Sequence, residues 1–209
     1  MIGLMAACKN KAGGDAAKTG EAQDVEETSA AAMMFNVNTQ STSVIWTGSK
    51  ATGTHQGVIK VTGGELAVNN GNIEGGSFTI DMSSLAVTDS DMDADTKGKL
   101  EGHLKSGDFF EVEKFPTGKF VITSVEPVSG SETTTHNVTG NLTLKEKTHS
   151  VTFPANVSIT DDKVSAVTPK FTINRTNWGI NYNSGILGTV KDKLINDDVA
   201  LVINLNAAK

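Results

Sequence analysis

Hydrophobic and polar residues alternate along most of the chain after residue 33. In one segment Val138, Gly140, Leu142 and Leu144 share a face, and polar residues fill the positions between them. A period of two places successive side chains on opposite sides of an extended chain, so the alternation predicts half-buried β-strands. The predicted strands cover residues 34–39, 43–52, 56–62, 64–69, 72–83, 117–128, 135–145, 149–160, 164–175 and 197–206.

Short polar and glycine-rich stretches separate these segments. They occur at residues 63–64, 69–71, 129–131 and 161–162, and each has the composition of a tight turn. Many strands at such short spacing are typical of an all-β barrel or sandwich built mainly from antiparallel strands. The sequence leaves open whether the interior is a solid core or encloses a cavity.

One segment departs from the alternation and has helical spacing instead. Met92, Leu100 and Leu104 fall on one side of residues 89–107, among charged residues. Asp91 or Asp93 is a suitable N-cap, because its carboxylate accepts backbone N–H groups at the helix start. The spacing predicts one helix near 91–107, inserted between strands as a covering element.

Composition supports a β-rich protein and excludes one class of partner. The chain has 25 Thr and 19 Val but only 11 Leu, and β-branched residues favour strands. Its 18 basic residues against 24 acidic ones give a net charge of −6. Nucleic-acid binding requires a basic face, so we expect no nucleic-acid partner.

The first 32 residues read as a leader followed by a tether. Residues 1–8 form a short apolar stretch that ends in small residues before Cys8, and this resembles the lipid-attachment signal of bacterial lipoproteins. The stretch is short and has no basic start, so an ordinary N-terminus with a chance cysteine is the alternative. Residues 9–32 contain little apolar surface, which predicts a flexible tether to a folded domain over 33–209.

Candidate catalytic and metal-binding residues are sparse. The acidic run at residues 89–95 lacks the glycine and glutamate that a calcium loop requires, so we interpret it as helix capping. His55 and His103 lie in no metal-ligand pair, and we interpret them as hydrogen-bonded structural residues. No nucleophile, phosphate-loop or dinucleotide motif is present. We therefore predict no catalytic residue, no bound metal and no cofactor.

An ordered series of motifs resembles the YceI-like polyisoprenoid-binding proteins. The series includes Trp-Thr-Gly-Ser-Lys at 46–50, Gly-His-Leu-Lys-Ser-Gly-Asp-Phe-Phe at 102–110 and Asn-Arg-Thr-Asn-Trp-Gly-Ile at 174–180. Further matches at 53–57, 75–82, 113–116, 138–144, 151–154 and 198–201 keep the family order across 33–209. One departure is Glu146, where the family more usually has glycine in the turn.

The resemblance implies a lipocalin-like barrel of about eight strands whose lumen holds a long isoprenoid or quinone-type lipid. It implies a carrier or store in the bacterial envelope and no known reaction, so we predict that the protein is not an enzyme. With the lipoprotein-like signal at Cys8, the expected location is either periplasmic or anchored to the outer membrane. A homodimer is left open. The alternatives are an enzyme that acts on the lipid, with Arg175, His103 and Asp81 as candidates, and a surface scaffold without a ligand.

Strand alternation and the matched motifs together give the candidate ligand-contacting residues. They are Trp46, Ile59, Phe78, Ile80, Phe110, Phe120, Ile122, Leu142, Phe153, Phe171, Ile173, Arg175 and Trp178. Arg175 is the polar member of this set. It either meets the head of the ligand or forms a structural ion pair with Asp197 or Asp198, because an unpaired buried charge is costly.

Overall fold

The structure is a computed structural model that describes residues 13–131, 133–185 and 193–209. Within these ranges the chain forms twelve β-strands, one α-helix and one short 3-10 helix. The strands are β1 (Asp15–Ala16), β2 (Lys18–Glu21), β3 (Met33–Val37), β4 (Ser43–Lys50), β5 (Gly53–Asn69), β6 (Asn72–Val87), β7 (Thr117–Pro127), β8 (His136–Leu144), β9 (Lys147–Ile159), β10 (Lys163–Val167), β11 (Phe171–Asn174) and β12 (Asp198–Ala208). The helix α1 covers Ala94–Lys105, and the 3-10 helix covers Arg175–Trp178.

Eight strands close into an antiparallel barrel. The ring runs β4–β5–β6–β7–β8–β9–β10–β12 and returns to β4, because β12 pairs with β10 along one edge and with β4 along the other. β3 continues the wall beside β5 and β12, and β11 continues it beside β12. The predicted all-β barrel of about eight strands with one inserted helix is therefore confirmed.

Two predicted strand boundaries are wrong. The glycines at residues 63–64 do not form a turn: β5 runs through them, with a shift in its pairing to β6 between Val61 and Gly63. Such a bulge bends a strand without ending it. Conversely, the strand predicted over 164–175 divides into β10 and β11 around Pro169, whose nitrogen has no hydrogen to donate to a neighbouring strand.

The unusual turn residue at Glu146 does not disturb the hairpin. Leu144 at the end of β8 pairs with Lys147 at the start of β9, so only two residues make the turn. Lys145 adopts a positive φ of 54°, a conformation that glycine adopts more readily.

The helix lies within the predicted segment and is shorter than expected. It begins after Asp93, whose side chain caps it by accepting a hydrogen bond from the Thr96 backbone N–H at 2.8 Å. Leu100 and Leu104 pack against the apolar residues of the barrel interior. The Val87 N–H donates to the Glu101 carboxylate at 2.7 Å, which fixes the helix to the end of β6.

Residues 15–21, within the segment predicted to be a flexible tether, instead pair with strands of the barrel wall. We call residues 13–32 the N-terminal strap. Its strand β1 pairs in parallel with β11, and its strand β2 pairs antiparallel with β9. Residues 15–21 thus lie between β9 and β11, which do not pair with each other directly. We call this gap in the eight-stranded ring the seam. The Ala17 N–H donates to the Thr172 carbonyl at 2.8 Å within this pairing.

Side-chain hydrogen bonds hold the rest of the strap against the barrel. Gln23 and Asn141 exchange two hydrogen bonds, from the Gln23 N–H to Asn141 Oδ1 at 2.9 Å and from Asn141 Nδ2 to the Gln23 carbonyl at 2.7 Å. The Ser29 N–H donates to Glu74 Oε2 at 2.8 Å. This bond lowers the pKa of Glu74, and a hydrogen bond from the Asn69 side chain lowers it further by a smaller amount. The remaining predicted leader, with Cys8, lies outside the described residues.

Candidate binding cavity

The barrel encloses two adjoining cavities. The wide lobe has a volume of about 470 Å³, and the narrow lobe about 130 Å³. Five side chains line both lobes, so the cavities meet across Val44, Ile80, Leu142, Ile173 and Leu201. The wide lobe falls in the size range of small-molecule sites, and the narrow lobe extends it through the barrel.

The narrow lobe is lined almost entirely by hydrocarbon. Its aromatic side chains form a chain of contacts in which Phe120 lies between Phe78 and Phe153, and Phe153 stacks on Phe171 with 4.6 Å between ring centroids. The lining residues Thr42 and Thr168 hydrogen-bond to strand backbone through their hydroxyls. This lobe therefore offers a ligand apolar surface and few polar partners.

The wide lobe has both apolar and polar walls. Its apolar lining includes Leu100 and Leu104 of α1, which pack against the cluster that contains Met82 and Leu85 of β6. Its polar lining residues are Ser49, Lys50, His55, His103, Arg175, Tyr182, Asn183, Lys193 and Asn196. Because the polar residues belong to one lobe, the whole cavity is amphipathic along its length.

Two histidines of the wide lobe are each paired with an aspartate. His55 Nδ1 lies 2.8 Å from Asp89 Oδ2, and the other oxygen of this buried carboxylate accepts the Gln56 N–H at 3.0 Å. His103 Nε2 lies 2.9 Å from Asp108 Oδ2. Over the described residues no three His, Cys, Asp or Glu side chains converge as metal ligands. Each aspartate fixes the orientation of the imidazole ring that it contacts.

The guanidinium of Arg175 is hydrogen-bonded to other groups of the protein. The Arg175 side chain is 5% exposed, and its guanidinium donates to the carbonyls of Ile180, Ile195 and Asn196 at 2.7, 3.3 and 3.2 Å. Nη2 also lies 3.1 Å from Asp197 Oδ1, while burial lowers the pKa of Arg175 and the Asp197 charge opposes that effect. Of the two interpretations from sequence, the geometry supports the structural ion pair.

The two tryptophans differ in their hydrogen bonding. Trp178 is 1% exposed, and its Nε1 donates to the Leu142 carbonyl at 2.9 Å. Trp46 is 7% exposed, and its Nε1 is buried without a hydrogen-bond partner among the described residues. Its indole lies directly over Gly57, where an added Cβ would overlap the ring. Glycine at this position therefore admits the indole to the wall.

All thirteen candidate ligand-contacting residues line one lobe or both. The candidate enzymatic cluster is not assembled: Arg175 and His103 line the wide lobe, but Asp81 does not, and its carboxylate accepts the Ser83 N–H at 2.9 Å. Sequence reasoning missed several lining residues. On β6, Met82 continues the alternation of Ile80 within the predicted strand, whereas Leu85 lies beyond the predicted end at residue 83.

A closed antiparallel barrel with an interior cavity is the architecture of lipocalin-like barrels. Residues 35–207 match the YceI-like domain family, so the chain belongs to that family. This confirms the resemblance seen in the motifs. Part of the described chain lies outside the matched span, including the whole N-terminal strap.

The curated relatives are proteins of the UPF0312 group. One from Staphylococcus aureus (strain MSSA476) is 35% identical over 115 residues, which is 51% of this chain and 63% of the relative. One from Pseudomonas putida (strain F1) is 31% identical over 99 residues, which is 47% of each chain. Each alignment covers less than two thirds of the relative's length.

Solved structures share the fold at low sequence identity. BcnA of Burkholderia cenocepacia has a TM-score of 0.64 at 20% identity, covering 81% of this chain and 98% of its own. A polyisoprenoid binding domain from Saccharophagus degradans, implicated in plant cell wall breakdown, has a TM-score of 0.57 at 11% identity, covering 83% and 97%. These likenesses establish the fold.

Proposed function

We propose that this protein binds a long-chain isoprenoid lipid, of polyprenyl or quinone type, inside the barrel and carries or stores it in the bacterial envelope. The observation that carries the proposal is the pair of adjoining lobes, one lined almost entirely by apolar residues and one with several polar groups. A slim hydrocarbon chain with a polar head has the same asymmetry. A scaffold without a ligand would have no need of this cavity.

The physics of burial supports a hydrocarbon ligand. Each methylene group removed from water contributes about 0.8 kcal/mol, so a prenyl tail gains affinity without hydrogen bonds. The stacked rings of Phe153 and Phe171 and the neighbouring Phe120 give the narrow lobe rigid apolar walls. The name of the Saccharophagus degradans neighbour, a polyisoprenoid binding domain, supports the same ligand class.

The envelope location has separate support from the sequence. The apolar stretch before Cys8 is similar to a lipoprotein signal, and lipidation at this residue would hold the barrel beside a membrane. In the described part of the chain, no helix is both long and apolar enough to cross a membrane. Metabolic labelling with a fatty-acid probe, compared between the full chain and Cys8→Ser, tests the anchor; equal labelling would contradict it.

Ligand binding is tested by a substitution that fills the lumen with a larger side chain. Leu201 lines both lobes, whereas its neighbour Val202 lines neither. We expect the wild-type protein and Val202→Trp, purified from a bacterial envelope, to release a stoichiometric isoprenoid into organic solvent, detected by mass spectrometry. We expect Leu201→Trp to release none while keeping its β-sheet circular dichroism.

Two results would overturn the proposal. One is unchanged lipid content in a folded Leu201→Trp variant, because the lipid would then lie outside the barrel. The other is a folded wild-type protein that carries no lipid and takes up neither an added polyprenol nor an added prenyl quinone.

A further inference from the structure

The unpartnered indole nitrogen of Trp46 calls for an explanation. A buried N–H without an acceptor loses its hydrogen bonds to water and gains none in return, so such groups are uncommon in folded proteins. Among the described residues, Trp46 Nε1 is the buried side-chain nitrogen or oxygen without a partner. Because Trp46 lines the wide lobe, a ligand in that lobe is a source of the missing acceptor.

A second polar group lies on the same face of the wall. Trp46 pairs with Gly57 across β4 and β5, and Gly48 pairs with His55 two residues away, so the side chains of Trp46 and His55 belong to one face. The Asp89 carboxylate accepts from His55 Nδ1, and His55 Nε2 makes no hydrogen bond to the described residues. The lobe thus has an N–H donor and an oriented imidazole nitrogen on adjacent strands.

The surroundings select an uncharged partner. Trp46 packs in a buried cluster with Ile59, Met82, Leu85 and Val87, all of them apolar. A phosphate moved into this cluster would lose its hydration without a cation beside it, at a large free-energy cost. The lysines that line the wide lobe, Lys50 and Lys193, are exposed.

We propose that the wide lobe recognises an uncharged oxygen on the head of the isoprenoid, a hydroxyl or a carbonyl, through a hydrogen bond donated by Trp46 Nε1, with His55 as its polar neighbour. This inference rests on the proposed function and specifies the head of the ligand. The tail then points into the narrow lobe. An anionic head group bound at the exposed lysines is the competing arrangement.

The two tryptophans of the chain make a direct test feasible. With ¹⁵N-labelled protein, each indole N–H gives one NMR signal, and Trp178, already bonded to Leu142, serves as the internal reference. The probes are squalene, which has no oxygen, a polyprenol, a prenyl quinone and a polyprenyl phosphate. We expect the polyprenol or the quinone to move the Trp46 signal downfield, and squalene to bind without that movement.

Affinity measurements on Trp46→Phe complete the test. Loss of one net hydrogen bond raises the dissociation constant about fivefold. We expect Trp46→Phe to raise it by this factor for the polyprenol or the quinone, relative to any change that the variant causes for squalene. The double variant Lys60→Gln/Lys163→Gln, at exposed lysines that line neither lobe, serves as the matched control and leaves the affinity for these neutral probes unchanged. The double variant Lys50→Gln/Lys193→Gln tests the competing anionic head with the polyprenyl phosphate.

Three outcomes would overturn the inference. In the first, all probes move the Trp46 signal equally and Trp46→Phe weakens squalene as much as the others, so Trp46 only packs. In the second, the phosphate binds tightest and loses affinity in Lys50→Gln/Lys193→Gln, so the head is anionic. In the third, no probe binds, squalene included, and the proposed function fails with it.

Discussion

Replacing Arg175 by methionine tests whether this residue stabilises the fold or contacts the ligand. Methionine keeps much of the apolar stem and removes every donor of the guanidinium. Three backbone carbonyls, those of Ile180, Ile195 and Asn196, lose a hydrogen bond, and Asp197 loses its cation. We therefore expect Arg175→Met to lower the free energy of unfolding.

The magnitude follows from the burial of the partners. Breaking a buried ion pair by removing one partner costs about 3–5 kcal/mol, and a buried acceptor left without a donor costs about 1–3 kcal/mol. The Asp197 side chain is 23% exposed, so water hydrates part of the abandoned carboxylate. We therefore place Arg175→Met at the lower end, about 3 kcal/mol. Asp197→Asn keeps the three carbonyl bonds and an amide oxygen as acceptor for Nη2 but removes the counter-charge, so its cost is smaller, about 1–3 kcal/mol.

Urea denaturation followed by circular dichroism measures these differences, and extraction of bound lipid from each folded variant runs in parallel. The expected pattern is a large stability loss for Arg175→Met, a smaller one for Asp197→Asn, and bound lipid retained wherever the barrel is folded. A variant with wild-type stability that has lost its lipid would refute the reasoning, because Arg175 would then act on the head of the ligand.

Three further predictions concern the wall. Deleting the N-terminal strap exposes one edge of β9, and hydrogen–deuterium exchange at residues 149–152 should rise severalfold. The pKa of Glu74 is lowered from its ordinary value of 4.5, so its hydrogen bonds stabilise the folded state above that pH, and this contribution is lost as the pH falls through the lower pKa of the folded state. Proteolysis within the strap should therefore rise in acid, and less so for Glu74→Gln. Gly140→Ala overlaps the ring of Phe120 and should cost about 1–3 kcal/mol in urea denaturation, whereas Gly98→Ala, in open space on α1, should stabilise by about 0.5–1 kcal/mol.

The barrel and its lining residues could be predicted because they follow from local pattern. A period of two in the sequence fixes which side chains face inward, and the aromatic residues on that face, such as Phe78 and Phe153, line the narrow lobe. The pattern fails where backbone geometry changes without a change in polarity. The bulge near Gly63 and the break at Pro169 are examples, since both lie within segments that alternate.

The polar features of the site depend on contacts that are distant in sequence. His55 meets Asp89 from 34 residues away, and this contact requires the pairing of β5 with β6 and its bulges. The sequence predicts Asp197 or Asp198 as the ion-pair partner of Arg175. It does not predict the three carbonyl partners, because every residue has a backbone carbonyl and the residue type does not show which ones accept. Residue pattern thus identifies the apolar wall better than its polar contacts.

The N-terminal strap was missed for a related physical reason. Its residues bury little apolar surface, which is the usual criterion for order, but the criterion applies to a chain that must fold on its own. Here β9 and β11 present free backbone edges on either side of a seam, and a strand of almost any composition satisfies them. The seam is closed twice, by the strap between the strands and by the stacked rings of Phe153 and Phe171 inside. The wall is therefore closed on this side of the barrel. Lys50 and Lys193, which line the wide lobe, are exposed, so we expect a ligand to enter through that lobe.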